Sequence, residues 1–342
     1  MLLIVFGEGA SYDAVPDYPP GPGMKDIPRL PLANDLFSSR RYASYMSRFQ
    51  RCLPIIPYLQ NQSSGITVER VLQGLQDEAV NYTERFNQLA ALRYYLQLMI
   101  SDNDEKWCGL AYGITNHLTM LDQIRSVQGD EQVCIVTFNY DRIIEIVLEK
   151  LGIKLGGIDD YVSNKRYIIV KLHGSVNWGR EIGSHIERVE EMPIWELVGV
   201  IIDHAHELDI SSGEFQIVKE QPICRAADRA LYPAIAIPLE TKTGYECPPN
   251  HVDRLQTALA DVDKIIIVGW RAADLPFAEM LAQRLKGDPR TFVVAESTNG
   301  AQESIDNLRR AGVPGRFTPA EYGFTQSVRN RDFELFLLGS RI

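Results

Sequence analysis

Three short stretches place glycine or polar side chains where apolar runs stop: "GEGAS" at 7–11, "TFNYD" at 137–141 and "KLHGS" at 171–175. Each offers a different chemistry. Beside Gly7 and Gly9, backbone N–H groups approach a pyrophosphate closely, and Ser11 adds a hydroxyl donor. Asn139 and Asp141 supply an amide and a carboxylate, which either cap a following helix or contact a ligand. His173 supplies an imidazole, the side-chain type that exchanges protons near neutral pH. Taken singly, a GxG reads as a tight turn and a histidine as a structural hydrogen-bonding group. Taken together, the three read as a dinucleotide site. It is not the dehydrogenase fingerprint. Tyr12 stands at the sixth position of GxGxxG, and the ribose-binding acid expected about 20 residues on is missing.

Such groups need a sheet to hold them. Four short apolar runs, "LLIVFG", "QVCIVTF", "RYIIVKL" and "KIIIVGW", read as parallel strands buried on both faces. "TFVVAES" reads as a fifth and "YPAIAIP" as a weaker sixth. Helical patterns follow several of them: "YDRIIEIVLEKLG", "DLPFAEMLAQRLKG" and "NGAQESIDNLRRAG", the last two with Gly287 and Gly312 as expected C-caps. Alternating strand and helix predicts an α/β fold, a Rossmann-like, doubly wound, mostly parallel sheet. From about 38 to 128 the pattern is helical without a strand, so a large helical insertion is expected between the first two strands. A second insertion, about 179–231, is irregular in pattern. The proline-rich "VPDYPPGPGMKDIPRLP" reads as a loop directly after the first strand. The expectation is a single domain over 1–342 carrying both insertions.

Composition narrows the function classes. The 342 residues are 45% hydrophobic, enough for a sizeable core. A formal net charge of -10 opposes general adhesion to nucleic acid or to anionic membrane. Cys52, Cys108, Cys134, Cys224 and Cys247 are dispersed, with no CxxC pair, which fits a reducing compartment. No signal core and no run of about 18 apolar residues occurs. A soluble, cytoplasmic protein is expected.

"GEGAS", "TFNYD" and "KLHGS" resemble the NAD-binding motifs of sirtuins, GAGxS, TQNxD and HG, in the same order along the chain, and "IIIVGWRAAD" resembles a later sirtuin strand. The resemblance is nearest to bacterial sirtuin-like NAD hydrolases of anti-phage defence, with "RLPLANDLF" and "IPLETKTGY" as softer support. It implies that Gly7, Gly9, Ala10 and Ser11 cradle the pyrophosphate, with Glu8 departing from the usual alanine and turned away. It implies Asn139 beside the nicotinamide ribose, Asp141 on the carboxamide and His173 as general base. Gly269 and Trp270 would line a ribose, and Glu296 would reach the adenosine ribose.

The departures select the reaction. Sirtuin deacylases carry a zinc ribbon of two CxxC pairs, and tetrahedral zinc needs four such ligands. Only Cys224 and Cys247 follow His173 here, each alone, so no metal is expected. "DHAHE" offers His204 and His206, but i and i+2 on a helix do not face one ligand. The expectation is therefore an NAD glycohydrolase that gives nicotinamide and ADP-ribose, acting as an abortive-infection effector. An activating protein partner or self-assembly into a homo-oligomer would control it. The alternatives are a protein deacylase or ADP-ribosyltransferase using the same pocket, and a non-catalytic NAD or ADP-ribose sensor.

Overall fold

The computed structural model describes residues 1–16, 29–60, 67–184, 186–210, 213–239 and 244–340. Most of the proline-rich loop and part of "IPLETKTGY" lie outside them.

Six strands form a wholly parallel sheet: β1 (Leu2–Phe6), β2 (Val133–Thr137), β3 (Tyr167–Lys171), β8 (Lys264–Val268), β9 (Arg290–Val294) and β10 (Arg316–Pro319). The order across the sheet is β10-β9-β8-β1-β2-β3. Every residue of β1, β2 and β3 is buried, which is why they are continuous apolar runs rather than alternating ones. The register aligns Phe6 with Thr137 on one side and with Val268 on the other, and Thr137 with Lys171, so four strands end level. The chain runs outward from β1 through β2 to β3, then returns to build β8, β9 and β10 on the opposite side. The order reverses between β1 and β8, and that switch point is where open α/β sheets form a crevice. The expected doubly wound α/β fold is observed.

A second sheet was not legible. β4 (Gly174–Glu181), β5 (Phe215–Ile217), β6 (Arg225–Ala226) and β7 (Arg229–Ile235) pair antiparallel in the order β5-β4-β7-β6. "YPAIAIP" belongs to β7, which corrects its reading as a parallel strand. An apolar run shows burial on both faces but not which neighbour pairs with it. The sixth parallel strand is instead β10, "RFTP", an edge strand whose residues are exposed or half-buried, so no apolar run announces it.

Between β1 and β2 the described residues hold helices and no strand, including Ser39–Met46, Val68–Ala79, Thr83–Leu110 and Asn116–Gln128. Thr83–Leu110 is the central member. From Asn87 to Ser101 every residue is buried except half-buried Arg93, so this stretch has no solvent face. It packs on the Ser39–Met46 and Val68–Ala79 helices, on the Ile194–Asp203 helix, and on β4 and β7. Gly312 takes a left-handed conformation directly after its helix (φ 79°), as expected of a helix C-terminus, whereas Gly287 (φ 78°) lies beyond Leu285, whose extended backbone already ends the Leu275–Arg284 helix. Among the described residues, no helix is long and apolar enough to cross a membrane.

Candidate active site

The switch point is sealed by backbone. Gly7 N–H donates to Val268 O at 3.0 Å, and Gly9 N–H donates to Gly269 O at 3.2 Å. A Cβ on Gly7 would stand 2.4 Å from Gly269 O, and one on Gly269 would stand 2.3 Å from Ala10 N. Gly269 also has φ 64°, so only glycine fits there without strain. These glycines bring two loops into contact, and two of the N–H groups expected at a pyrophosphate are committed to that contact.

Above the contact lies a cavity of about 590 Å³, a size suited to a nucleotide-sized ligand. Of the sequence-predicted residues, Gly7, Ser11, Asn139, Asp141, His173, Gly269 and Trp270 line it. Gly9 and Ala10 do not, since Ala10 is fully buried in the short Glu8–Tyr12 helix beneath. Glu296 is exposed after β9 and is not among the lining residues, because β9 lies one strand beyond the switch point. Glu8 turns its carboxylate to Ala33 N–H (2.8 Å) yet still borders the cavity. Burial pushes its pKa up. From the inserted helical region come Thr67, Glu69 and Ile100, with Leu36 just before it, so that region helps to wall the cavity.

Asn139 is not a helix cap. Its Nδ2 donates to Gly7 O (2.8 Å) and to Ser11 Oγ (2.7 Å). Ser11 Oγ in turn donates to Asp141 Oδ2 at 2.6 Å, while Asp141 Oδ1 accepts the Ile143 N–H at 3.1 Å. Capping therefore falls to the carboxylate at the start of the Ile143–Lys150 helix, and the amide is left to tie β1 to β2. Asp141 is 7% exposed, and burial raises its pKa against the pull of Lys171 and Ser11. Lys171, fully buried, donates to Asp141 O (2.5 Å), Glu145 Oε1 (2.8 Å) and Ser175 Oγ (2.7 Å). The joint is thus held from behind as well as in front.

The central helix grips the same joint. Trp107 Nε1 donates to Ser11 O at 2.9 Å. Asp104 accepts from the Arg142 backbone N–H (2.9 Å) and from its guanidinium (2.7 and 3.0 Å).

His173 lies at the β3–β4 junction, 3.2 Å from Asp274 through Nε2. Phe138 stacks on Trp270 (5.2 Å, 15°) and approaches the His173 ring at 5.0 Å, so aromatic faces border this end of the cavity. Asp274 was missed as a site residue. It closes the "IIIVGWRAAD" stretch and opens a helix with "DLP", signals that announce a strand end and a cap rather than a partner for a residue 101 positions away. Tyr140 within "TFNYD" and Arg271 within "IIIVGWRAAD" also line the cavity without having been singled out, and Glu69 lines it with no local motif. Among the described residues, no group of three His, Cys, Asp or Glu side chains is placed to hold a metal ion.

No family model matches the chain, and no curated protein matches it. Among solved structures it is similar to Sir2Tm bound to a propionylated peptide (12% identity, 99% of this chain and 93% of that one, TM-score 0.42). It is likewise similar to Sir2 bound to acetylated peptide (11%, 99% and 93%, TM-score 0.43). At these values the likeness carries no functional assignment.

Proposed function

We propose that the protein is an NAD glycohydrolase that breaks the nicotinamide–ribose bond with water. One observation carries the reading. Asn139, Asp141 and His173, which the sequence motifs single out, border one cavity at the switch point of a doubly wound sheet. The fit is supported by the cavity's size, its aromatic border and its acid-rich lining (Glu8, Glu69, Asp141, Asp274 and Glu279) beside Arg271. Carboxylates favour a cationic nicotinamide ring, and Arg271 is placed to meet phosphate.

The chemistry needs three things from the chain. Asn139 has its amide nitrogen committed to Gly7 and Ser11, so its oxygen is the group left to hold a water or a ribose hydroxyl. Asp141 keeps lone pairs beyond those used by Ser11 and Ile143, enough to accept from a carboxamide. His173 takes the proton. As the glycosidic C–N bond breaks, its electron pair neutralises the nicotinamide ring nitrogen. The water oxygen bonds to the ribose carbon, and its proton passes to His173 and then to solvent. The same reading takes 1–342 as one NAD-binding domain, with the 38–128 insertion controlling access to the nicotinamide end and 179–231 as a second insertion. Anti-phage action, triggered by a protein partner or by self-assembly, follows the sequence resemblance.

The test is free nicotinamide, measured after mixing the purified full chain with NAD and no acceptor. Hydrolysis is expected without any acceptor. Release that requires an acylated peptide or a protein acceptor would replace the hydrolase with a deacylase or transferase, and binding without release would make the protein a sensor.

A further inference from the structure

We infer that Asp274 is a positioning residue for His173, holding Nε2–H so that Nδ1 is the nitrogen that accepts the proton; this rests on the NAD-cleaving reading. The two side chains come from opposite halves of the sheet, His173 after β3 and Asp274 after β8. Each is 8% exposed, and both border the cavity. A carboxylate so placed is costly to bury unless each oxygen has a partner, and here each has one. Oδ2 faces His173 Nε2 at 3.2 Å, and Oδ1 accepts the Phe277 N–H at 3.1 Å as N-cap of the Leu275–Arg284 helix. The cap therefore fixes the carboxylate, and the carboxylate fixes the ring.

The histidine backbone is held just as firmly. Its carbonyl accepts the Ala236 N–H at 2.8 Å. The next residue, Gly174, has φ 79° and would set a Cβ 1.9 Å from Ala234 O. Phe138 and Tyr140 flank the ring at 5.0 and 6.3 Å. When water adds to the ribose carbon, the imidazole gains a proton and the Asp274 carboxyl group beside Nε2 stabilises the cation. The proton then leaves to solvent, and neither residue is consumed.

Asp274→Asn and Asp274→Ser separate the two tasks of this carboxylate. Asn and Ser are both good N-caps, so the helix start is kept. Asn removes the charge, and Ser is too short to reach the ring. In both variants kcat for nicotinamide release is expected to fall about 10²-fold or more, with KM little changed. Imidazole nitrogen NMR, with the His173 signals assigned by comparison with His173→Ala, is expected to show the Nε2–H tautomer in the wild type and its loss in Asp274→Ser. Wild-type kcat in both variants, or a wild-type spectrum with the proton on Nδ1, overturns the inference. If the wild-type chain releases no nicotinamide, the NAD-cleaving reading fails by itself, and the tautomer spectra still decide the positioning.

Discussion

Asn139 is where capping and catalysis make different demands on one residue type. A capping role predicts only a stability effect when the amide is removed. The observed bonds to Gly7 O and Ser11 Oγ predict more, because they aim the remaining oxygen. Asn139→Ala should stay folded, lose about 1–2 kcal/mol from two hydrogen bonds, and release nicotinamide about 10²–10⁴-fold more slowly. Circular dichroism with the nicotinamide assay checks both, and near-normal release by a folded variant sinks the mechanism. This residue was legible because its position at a strand end follows from a local pattern. Asp274 was not, because its pairing with His173 is a fact of topology, and a sequence window shows only the cap. Glu296 shows the opposite failure. A strand-end acid was readable, but the strand's distance from the switch point was not.

At the scale of elements, the central Thr83–Leu110 helix is the clamp on the joint. Its Asp104 is fully buried against Arg142, whereas Arg51 makes exposed pairs with Glu84 and Asp203. Removing one partner of a buried pair strands the other charge, while exposed pairs contribute little. Asp104→Ala should therefore lower stability by about 3–5 kcal/mol, and Arg51→Ala by about 1 kcal/mol or less, both read by urea denaturation. Equal effects would show that the helix is not the clamp. That this region is helical was plain because no strand pattern interrupts it, and strand-free runs are local. That β4 and β7 pair antiparallel was not plain, since burial makes both sheets equally apolar.

Across the whole molecule, the response to acid is set in part by His117. It is 1% exposed and lies between Phe6 (4.8 Å) and Phe324 (5.1 Å). Burial drops its pKa from 6.5 to about 3. The unfolded chain takes up this proton below pH 6.5 and the folded chain does not, so its stabilisation is complete above 6.5 and is lost as pH falls toward 3. The slope is about 1.4 kcal/mol per pH unit in that window. His117→Phe keeps a ring there and should flatten the curve of stability against pH between 6 and 4; an unchanged curve would assign the slope elsewhere. Metal content is a second global test. Cys224 and Cys247 each stand alone in sequence, so elemental analysis after dialysis should find no stoichiometric zinc. One zinc per chain would revive the deacylase.

The pairing of β1 with β8 sets a timetable for synthesis. Leu2 is made some 260 positions before its partner Lys264, and Gly269, Trp270 and Asp274 come later still. A chain emerging from the ribosome through β3 has an open edge on β1 and half a cavity wall. It holds the histidine without the carboxylate that aims it. Contacts of such long range slow folding and leave edges exposed meanwhile. They also mean that the cavity lacks the wall supplied by Gly269, Trp270 and Asp274 until those residues are made. The cavity closes only when the second half of the sheet arrives.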